Sequence, residues 1–272
     1  MPKVRELGYS ENTPAKQKKF REIIRRHLFL AKRVIGKKHE WLINEYHFYD
    51  MTAGPGIYEV DGQEIKGSPI IFLEEAIRID LPFRAVFFEQ DEEFAERLSS
   101  LINDDRCVIV NADHRIAFFD YVTQQNGKSE IGMVYFDPSG SLPPFGLIEA
   151  IAHLPQLYAV DILIHMAAAN LKRAFHNPRS RVCERLTNFL NAIKKKKWFV
   201  SEPAGKHQWV FLMGTNWKRY PDISDIGMFD VLSKKGCSII NEISYANDDE
   251  IDMDIIAFFY TQIVKRGGVP SW

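Results

Sequence analysis

The stretch FYDMTAGPG, residues 48–56, decides the fold, because an apolar run ends on an acid and is followed at once by a glycine-rich turn. The apolar run predicts a buried strand that ends at Asp50. Gly54 and Gly56 let the backbone approach a ligand more closely than side chains would allow. This order of features is typical of nucleotide and cofactor sites in α/β proteins.

Further strand-like runs alternate with helical patterns along the chain. The strand-like runs are 46–50, 84–89, 107–111, 132–137 and 161–166, and the helical patterns include 69–78, 92–101 and 145–152. Such alternation predicts a parallel sheet flanked by helices. The interval 57–68 is predicted to be an inserted loop. The late segments 236–243 and 255–261 fit either two strands or a strand and a helix.

Acidic residues stand at the ends of four successive predicted strands. They are Asp50, Glu89, Asp113 and Asp137, with Asp113 just beyond its strand. Ligands of open α/β sheets bind outside the carboxyl ends of the strands. The four side chains are therefore expected to converge on one crevice.

Three kinds of nucleotide site compete for the glycine turn. A phosphate-binding loop needs Gly-Lys-Ser or Gly-Lys-Thr, which does not follow here. A dinucleotide fold needs a third glycine where this chain has Glu59. The remaining interpretation is the cofactor turn of an S-adenosylmethionine-dependent methyltransferase. There Asp50 would hold the amino group of the methionine part, and the two oxygens of Glu89 would accept from the ribose hydroxyls.

Five motifs in order resemble the three-Cys-motif partner (TcmP) family, a branch of the class I S-adenosylmethionine-dependent methyltransferases. They are FYDMTAGPG, IKGSPIIFLEEA, FFEQDEEFAERL, VNADH and YFDPSG, and the match spans about residues 15–170. The resemblance implies a Rossmann-like, doubly wound α/β fold with a mostly parallel sheet of about seven strands, one late antiparallel strand and a basic N-terminal helix. It also implies S-adenosylmethionine as the cofactor.

By position, the resemblance assigns the cofactor to eleven residues and methyl transfer to four. The cofactor set is Asp50, Thr52, Ala53, Gly54, Gly56, Ser68, Pro69, Glu89, Gln90, Asp113 and His114, with Asp113 and His114 at the adenine. The transfer set is Asp137, Pro138, Ser139 and Gly140. Enzymes that methylate exocyclic amines of bases carry Pro and an aromatic residue where Ser139 and Gly140 stand. Candidates for the missing stacking ring are Tyr135 and Phe145.

Three functions therefore stay open, of which the third is methyl transfer to a small molecule or a protein. The first is methyl transfer to nucleic acid, DNA or RNA, with the N6 amine of adenine as the candidate atom. The alternative is a non-catalytic or partner-dependent subunit that keeps the fold and binds a partner protein or nucleic acid.

The charge of the chain is unevenly distributed. The whole chain has 35 Lys and Arg against 36 Asp and Glu, whereas residues 1–40 hold 12 against 4, a net charge of +8. A helix is predicted from Thr13 to Gly36, and its charged faces are either solvated or bind phosphates. The candidate nucleic-acid contacts are Lys18, Lys19, Arg25, Arg26, Lys32 and Arg33. The predicted domains are a basic segment, 1–40, and a methyltransferase domain, 41–272.

Cysteine usage and hydropathy limit the class of protein further. Cys107, Cys183 and Cys237 are widely spaced, which predicts neither a disulfide framework nor a metal site. The start of the chain has no apolar signal core, and no apolar run approaches the length of a membrane span. A cytoplasmic protein without membrane contact is expected.

Overall fold

The structure is a computed structural model that describes residues 13–35, 44–60, 62–124, 130–138, 142–168, 190–205 and 208–244. The chain divides into two compact units, residues 1–139 and 140–272. The predicted boundary at residue 40 lies outside the described residues and stays a prediction.

The first unit contains the parallel strands that the sequence predicts. Its elements are α1 (Thr13–Lys32), β1 (Tyr46–Asp50), β2 (Ile57–Val60), β3 (Gln63–Lys66), α2 (Ser68–Arg78), β4 (Phe83–Glu89), α3 (Glu92–Leu101), β5 (Cys107–Asn111), α4 (His114–Gln124) and β6 (Ile131–Phe136). β1 pairs in parallel with both β4 and β6, and β4 pairs in parallel with β5. The spatial order of the strands is β6-β1-β4-β5. The chain adds β4 and β5 on one side of β1 and then β6 on the other side, so the gap between β1 and β6 is the topological switch point, where α/β sheets bind ligands.

Helices cover both faces of this parallel sheet. Phe48 of β1 stacks on Phe72 of α2 with ring centroids 4.1 Å apart, and lies 6.4 Å from Phe20 of α1. The next residue, Tyr49, packs against Phe118 of α4 at 5.4 Å. Because successive strand residues point to opposite faces, α1 and α2 lie on one face and α4 lies on the other. The predicted doubly wound α/β arrangement is confirmed in this unit.

The prediction of an inserted loop at 57–68 is wrong in one respect, because this segment contains two short strands. β2 and β3 form an antiparallel hairpin in which Val60 pairs with Gln63. Gly62 has a φ of +76°, which a two-residue hairpin turn favours and which glycine adopts without strain. The amide of Gly67 donates to the carbonyl of Gly56 at 2.7 Å and closes the base of the hairpin.

The second unit is built on antiparallel pairing. Its elements are α5 (Phe145–Ala152), β7 (Ala159–Ala167), β8 (Lys197–Ser201), β9 (Trp209–Thr215), β10 (Met228–Asp230) and α6 (Lys234–Ser244). β9 lies between β7 and β8 and is antiparallel to both, so β7 and β8 run parallel to each other. β10 adds a second antiparallel strand beside β8, where the sequence predicted one such strand in all. The described residues form eight strands besides the hairpin, against about seven predicted.

The structure gives the secondary structure of one of the two late segments that the sequence left open. Residues 236–243 form part of helix α6, and 255–261 lie outside the described residues. Among the described helices, none has the length and apolar character that a membrane crossing requires.

Candidate functional site

Asp50, at the end of β1, carries a carboxyl group whose pKa is strongly raised. Its side chain is completely buried. Its Oδ1 accepts from the amide of Thr52 at 3.2 Å, while Oδ2 has no hydrogen-bond donor among the described residues. The pKa of Asp50 is raised to about 7, mainly because the carboxyl group is buried; the side chain of Ser68 and the amide of Thr52 lower it, and the charges of Asp137 and Glu89 raise it. A cationic donor placed at Oδ2 would relieve this cost.

The turn after β1 is fastened to the strands on either side of it. The amide of Met51 donates to the carbonyl of Tyr135, and that of Ala53 donates to the carbonyl of Phe88, both at 3.0 Å. The hydroxyl of Thr52 accepts from the amide of Asp137 at 3.0 Å. The end of β1 is thereby held against the ends of β4 and β6, which keeps the crevice at the switch point in one shape.

The glycine turn lies directly beside Glu89. The amide of Gly54 donates to Glu89 Oε2, and the amide of Asp91 donates to Oε1, both at 2.8 Å. Gly54 and Gly56 have φ values of +66° and +80°, which only glycine adopts without strain. A Cβ on Gly54 would collide with the hydroxyl of Tyr58, which lies over the turn. Both glycines that the sequence singles out are required by the backbone, and each Glu89 oxygen keeps a free lone pair for a ligand.

The first turn of α2 completes the buried side of the site. Ser68 and Pro69 are buried there, and the Ser68 side chain lies close enough to Asp50 to lower the pKa of its carboxyl group. Proline in the first turn costs the helix no bond, because the first backbone amides of a helix have no internal partner. Such amides favour an anionic group.

Asp137, after β6, makes an ion pair that the sequence did not suggest. Lys16 Nζ lies 2.6 Å from Asp137 Oδ2, and the two side chains are only 13% and 14% exposed. Lys16 belongs to the first turn of α1, 121 residues earlier. Only tertiary contact brings the two residues together, so no local motif could have identified Lys16.

Asp113 has a different environment from the other three strand-end acids. Its carboxylate accepts from the amide of Arg115, as a helix cap does, and also forms a two-pronged ion pair with the Arg115 guanidinium. The hydrogen bonds from Arg115 hold the pKa of Asp113 at about 2. An adenine amino group could use this carboxylate only if the guanidinium moved. The structure therefore brings Asp50, Glu89 and Asp137 together and gives Asp113 a partner of its own.

The remaining predicted site residues differ in accessibility. His114 is half-buried, which lowers its pKa, and its ring lies 6.5 Å from that of Phe136. Gln90 is exposed and Pro138 is half-buried, while Ser139 and Gly140 lie outside the described residues. Tyr135 is completely buried, with its ring 4.6 Å from Phe20, and is not available to stack on a base.

Phe145, the other candidate stacking ring, is half-buried at the start of α5 in the second unit.

The basic helix α1 uses part of its charge to dock on the domain. Arg25 donates twice to the buried carboxylate of Glu75 at 2.9 Å, and Arg21 and Arg78 donate to the same group. Lys32 donates to the carbonyl of Ile79. Arg25 and Lys32 are thus anchored within the protein.

The other candidate phosphate contacts on α1 vary in exposure. Lys18 is exposed, and Arg33 is exposed with its guanidinium 4.5 Å from the centre of the Phe29 ring. Arg26 is half-buried, as is Lys19, which lies 3.8 Å from Glu22. None of these positions excludes a phosphate contact. In the described part of the chain, no cluster of three or more His, Cys, Asp or Glu side chains could hold a metal ion.

Comparisons with known proteins show the fold of the chain but do not identify its family. No protein-family model matches the chain, and no curated protein matches it either. Among solved structures it is similar to protein LPL1258 from Legionella pneumophila, described by the family model DUF519, with a TM-score of 0.57 and 14% identity. The likeness covers 80% of this chain and 90% of that one.

Two weaker likenesses are to named methyltransferases. The plantazolicin methyltransferase BpumL in complex with SAH has a TM-score of 0.40, with 11% identity over 76% of this chain and 88% of that one. The catalytic domain of hMettl16 in complex with an RNA hairpin has a TM-score of 0.43, with 13% identity over 79% and 74%. TM-scores below 0.5 establish nothing further about this chain. Membership of the three-Cys-motif partner family stays a prediction, and the chain shares its overall α/β fold with LPL1258.

Proposed function

We propose that the protein is an S-adenosylmethionine-dependent methyltransferase that acts on nucleic acid. The observation that carries the proposal is the meeting of Asp50, Glu89 and Asp137 around a positive-φ glycine turn at the switch point of a parallel sheet. Membership of the three-Cys-motif partner family belongs to the proposal, supported by the order of the motifs. The widely spaced cysteines support a cytoplasmic site of action.

The charges of the site suit this cofactor. S-adenosylmethionine carries a sulfonium and an ammonium against one carboxylate, and three acids with one lysine leave the site net negative. The ammonium would satisfy the orphaned Oδ2 of Asp50, and the ribose hydroxyls would donate to Glu89. The first amides of α2, beside Ser68, would receive the carboxylate. When bound, the cofactor supplies an electrophilic methyl group, and the chain's own residues orient the acceptor.

The cofactor assignment is tested by calorimetric titration with S-adenosylhomocysteine. Wild type is expected to bind, and Glu89→Ala to bind at least tenfold more weakly, because the ribose loses its acceptor and the amide of Gly54 loses its partner. Glu92→Ala, an exposed position on α3, is the matched control and should bind as wild type does. Equal binding by Glu89→Ala, or no binding by wild type, would refute the assignment.

Methyl transfer is tested by supplying a labelled methyl donor with DNA, RNA and lysate protein in parallel. Label in one nucleic acid, with identification of the modified nucleoside, would support the proposal and decide between DNA and RNA. Asp137→Ala should lose transfer and retain S-adenosylhomocysteine binding, because in the proposed reaction Asp137 would orient the acceptor amine. Label confined to protein, or activity that survives nuclease treatment, would contradict a nucleic-acid substrate.

The nucleic-acid footprint on α1 is tested through salt dependence. Replacing Lys18, Arg26 and Arg33 by Gln should weaken nucleic-acid binding and reduce the slope of log K against log salt by about one for each lost phosphate contact. Arg25 is left in place because its ion pair with Glu75 anchors the helix. Arg219→Gln, exposed in the second unit, is the control. An unchanged slope in the triple variant would remove α1 from the binding surface.

One observation favours the second candidate function, a non-catalytic subunit that binds a partner protein or nucleic acid. The Asp137 carboxylate, which an acceptor amine would need, already has Lys16 as a partner. A protein that binds S-adenosylhomocysteine and nucleic acid but transfers no methyl group would have this role.

A further inference from the structure

The ion pair between Lys16 and Asp137 lies where the proposed reaction would place the acceptor. Lys16 Nζ is 2.6 Å from Asp137 Oδ2, and both side chains are largely shielded from water. The backbone of Asp137 is fixed separately, through its amide bond to the hydroxyl of Thr52. The ion pair therefore acts on the Asp137 carboxylate and is not needed to hold the end of β6 in place.

The backbone of Lys16 is also fixed. Its helix neighbours Thr13, Gln17 and Phe20 are buried, and the ring of Phe20 packs 4.6 Å from Tyr135, two residues before Asp137. One turn further along, Arg21 donates to Glu75 of α2 at 3.0 Å. Since α1 is docked at both places, the ammonium can leave Asp137 only by rotation of the lysine side chain.

The pair also changes the charge that an incoming group meets. Asp137 and Glu89 lie close enough to Asp50 to raise the pKa of its carboxyl group, so three acids share this crevice. A crevice with three carboxylates attracts any cationic amine. Lys16 places a positive charge on the one carboxylate that faces the acceptor, and like charges close together in a partly buried site repel strongly.

We propose that Lys16 is a positioning and specificity-determining residue of the acceptor site, where it competes for Asp137 Oδ2 and selects neutral amines over cationic ones. This inference rests on the proposed function. A neutral exocyclic amine, such as those of nucleobases, can donate to Asp137 once the lysine side chain rotates, without meeting a full like charge. A protonated aliphatic amine, such as a protein lysine, is repelled. Asp137 thus recognises the amine of a nucleobase, while the ammonium group of Lys16 excludes alkylammonium groups.

The test compares two cofactor analogues that differ at the position of the transferred methyl group. Sinefungin carries an amino group there, and S-adenosylhomocysteine carries none. The ratio of their dissociation constants measures how the acceptor site treats a cationic amine, with the rest of the cofactor site held constant. Calorimetry at neutral pH would measure the ratio for wild type, Lys16→Met, Lys16→Gln and Lys16→Arg, with Arg219→Gln, exposed in the second unit, as the control.

Both neutral variants at Lys16 are expected to shift the ratio about tenfold in favour of sinefungin, because a like charge near the amine is removed, while Lys16→Arg and Arg219→Gln keep the wild-type ratio. A merely structural role would weaken both ligands together and leave the ratio unchanged. An unchanged ratio in Lys16→Met and Lys16→Gln therefore overturns the inference, whether or not both ligands bind more weakly. Failure of wild type to bind S-adenosylhomocysteine is a different result, because it refutes the proposed function and the inference with it.

Discussion

Replacing Asp50 by Asn should make the protein more stable while it removes cofactor binding. The carboxyl group is completely buried, and its Oδ2 has no donor among the described residues. The amide side chain of Asn has nearly the same shape and keeps an oxygen that can accept from Thr52. It carries no charge, so it avoids the cost of burying one. It also loses the attraction for a cationic ligand group at this position.

The size of the effect follows from the difference in proton affinity between the folded and unfolded chain. The pKa of Asp50 is about 7 in the folded protein, against an ordinary value of 3.8. Between these values the folded protein holds a proton that the unfolded chain has released, so the free energy of unfolding of wild type falls as the pH rises. The loss is complete above pH 7 and amounts to about 4 kcal/mol, and it is about 2 kcal/mol at pH 5.

The assay is denaturant unfolding of wild type and Asp50→Asn at several pH values between 5 and 8. The variant is expected to be the more stable, by a margin that widens with pH. Asp113→Asn is the matched control with the opposite sign, because the pKa of Asp113 is held at about 2 and its ion pair with Arg115 stabilises the folded state at neutral pH. If Asp50→Asn is less stable than wild type, or if the margin does not change with pH, the reasoning about Asp50 is refuted.

Two further changes test the frame of the site. Gly54→Ala should lower both the melting temperature and the affinity for S-adenosylhomocysteine, because φ is +66° and the new Cβ meets the hydroxyl of Tyr58. Adding Tyr58→Phe to Gly54→Ala should restore only the part of the stability and affinity that the collision removes. If Gly54→Ala alone behaves as wild type does, Gly54 does not require a positive φ. Ion pairs with Arg25, Arg21 and Arg78 hold the pKa of Glu75 near 2. Glu75→Gln should therefore lower the free energy of unfolding at neutral pH. It should also make that free energy decrease less steeply as the pH is lowered from about 4.5 to 2. Acid unfolding curves of the same steepness for both proteins would show that Glu75 does not anchor α1.

Much of the parallel sheet could be read from local patterns. The strand 46–50 was predicted with its observed bounds, as was 107–111, because short apolar runs between polar turns have few alternative structures. The hairpin formed by 57–60 and 63–66 was missed although the Asp-Gly sequence between its strands is typical of two-residue turns. Its strands carry too few apolar residues to stand out, and one of them is exposed over most of its length.

The late part of the chain was harder to read for a physical reason. Residues 236–243 are apolar enough for a strand but form a helix, since short apolar runs fit both periods. The strand at 228–230 has only three residues and depends on pairing with β8 for its existence. Neither feature is encoded locally.

The sequence by itself determined the strand-end acids and the glycine turn, because both are properties of a few adjacent residues. Asp50, Gly54 and Gly56 occupy positions where backbone geometry and burial leave little choice. Tertiary structure alone decided what Asp137 meets. Lys16 reaches Asp137 across 121 residues, whereas the partner of Asp113, Arg115, stands only two residues away along the chain. Charge interactions act through space, so the partner of Asp137 depends on how α1 packs on the sheet and not on the order of neighbouring residues.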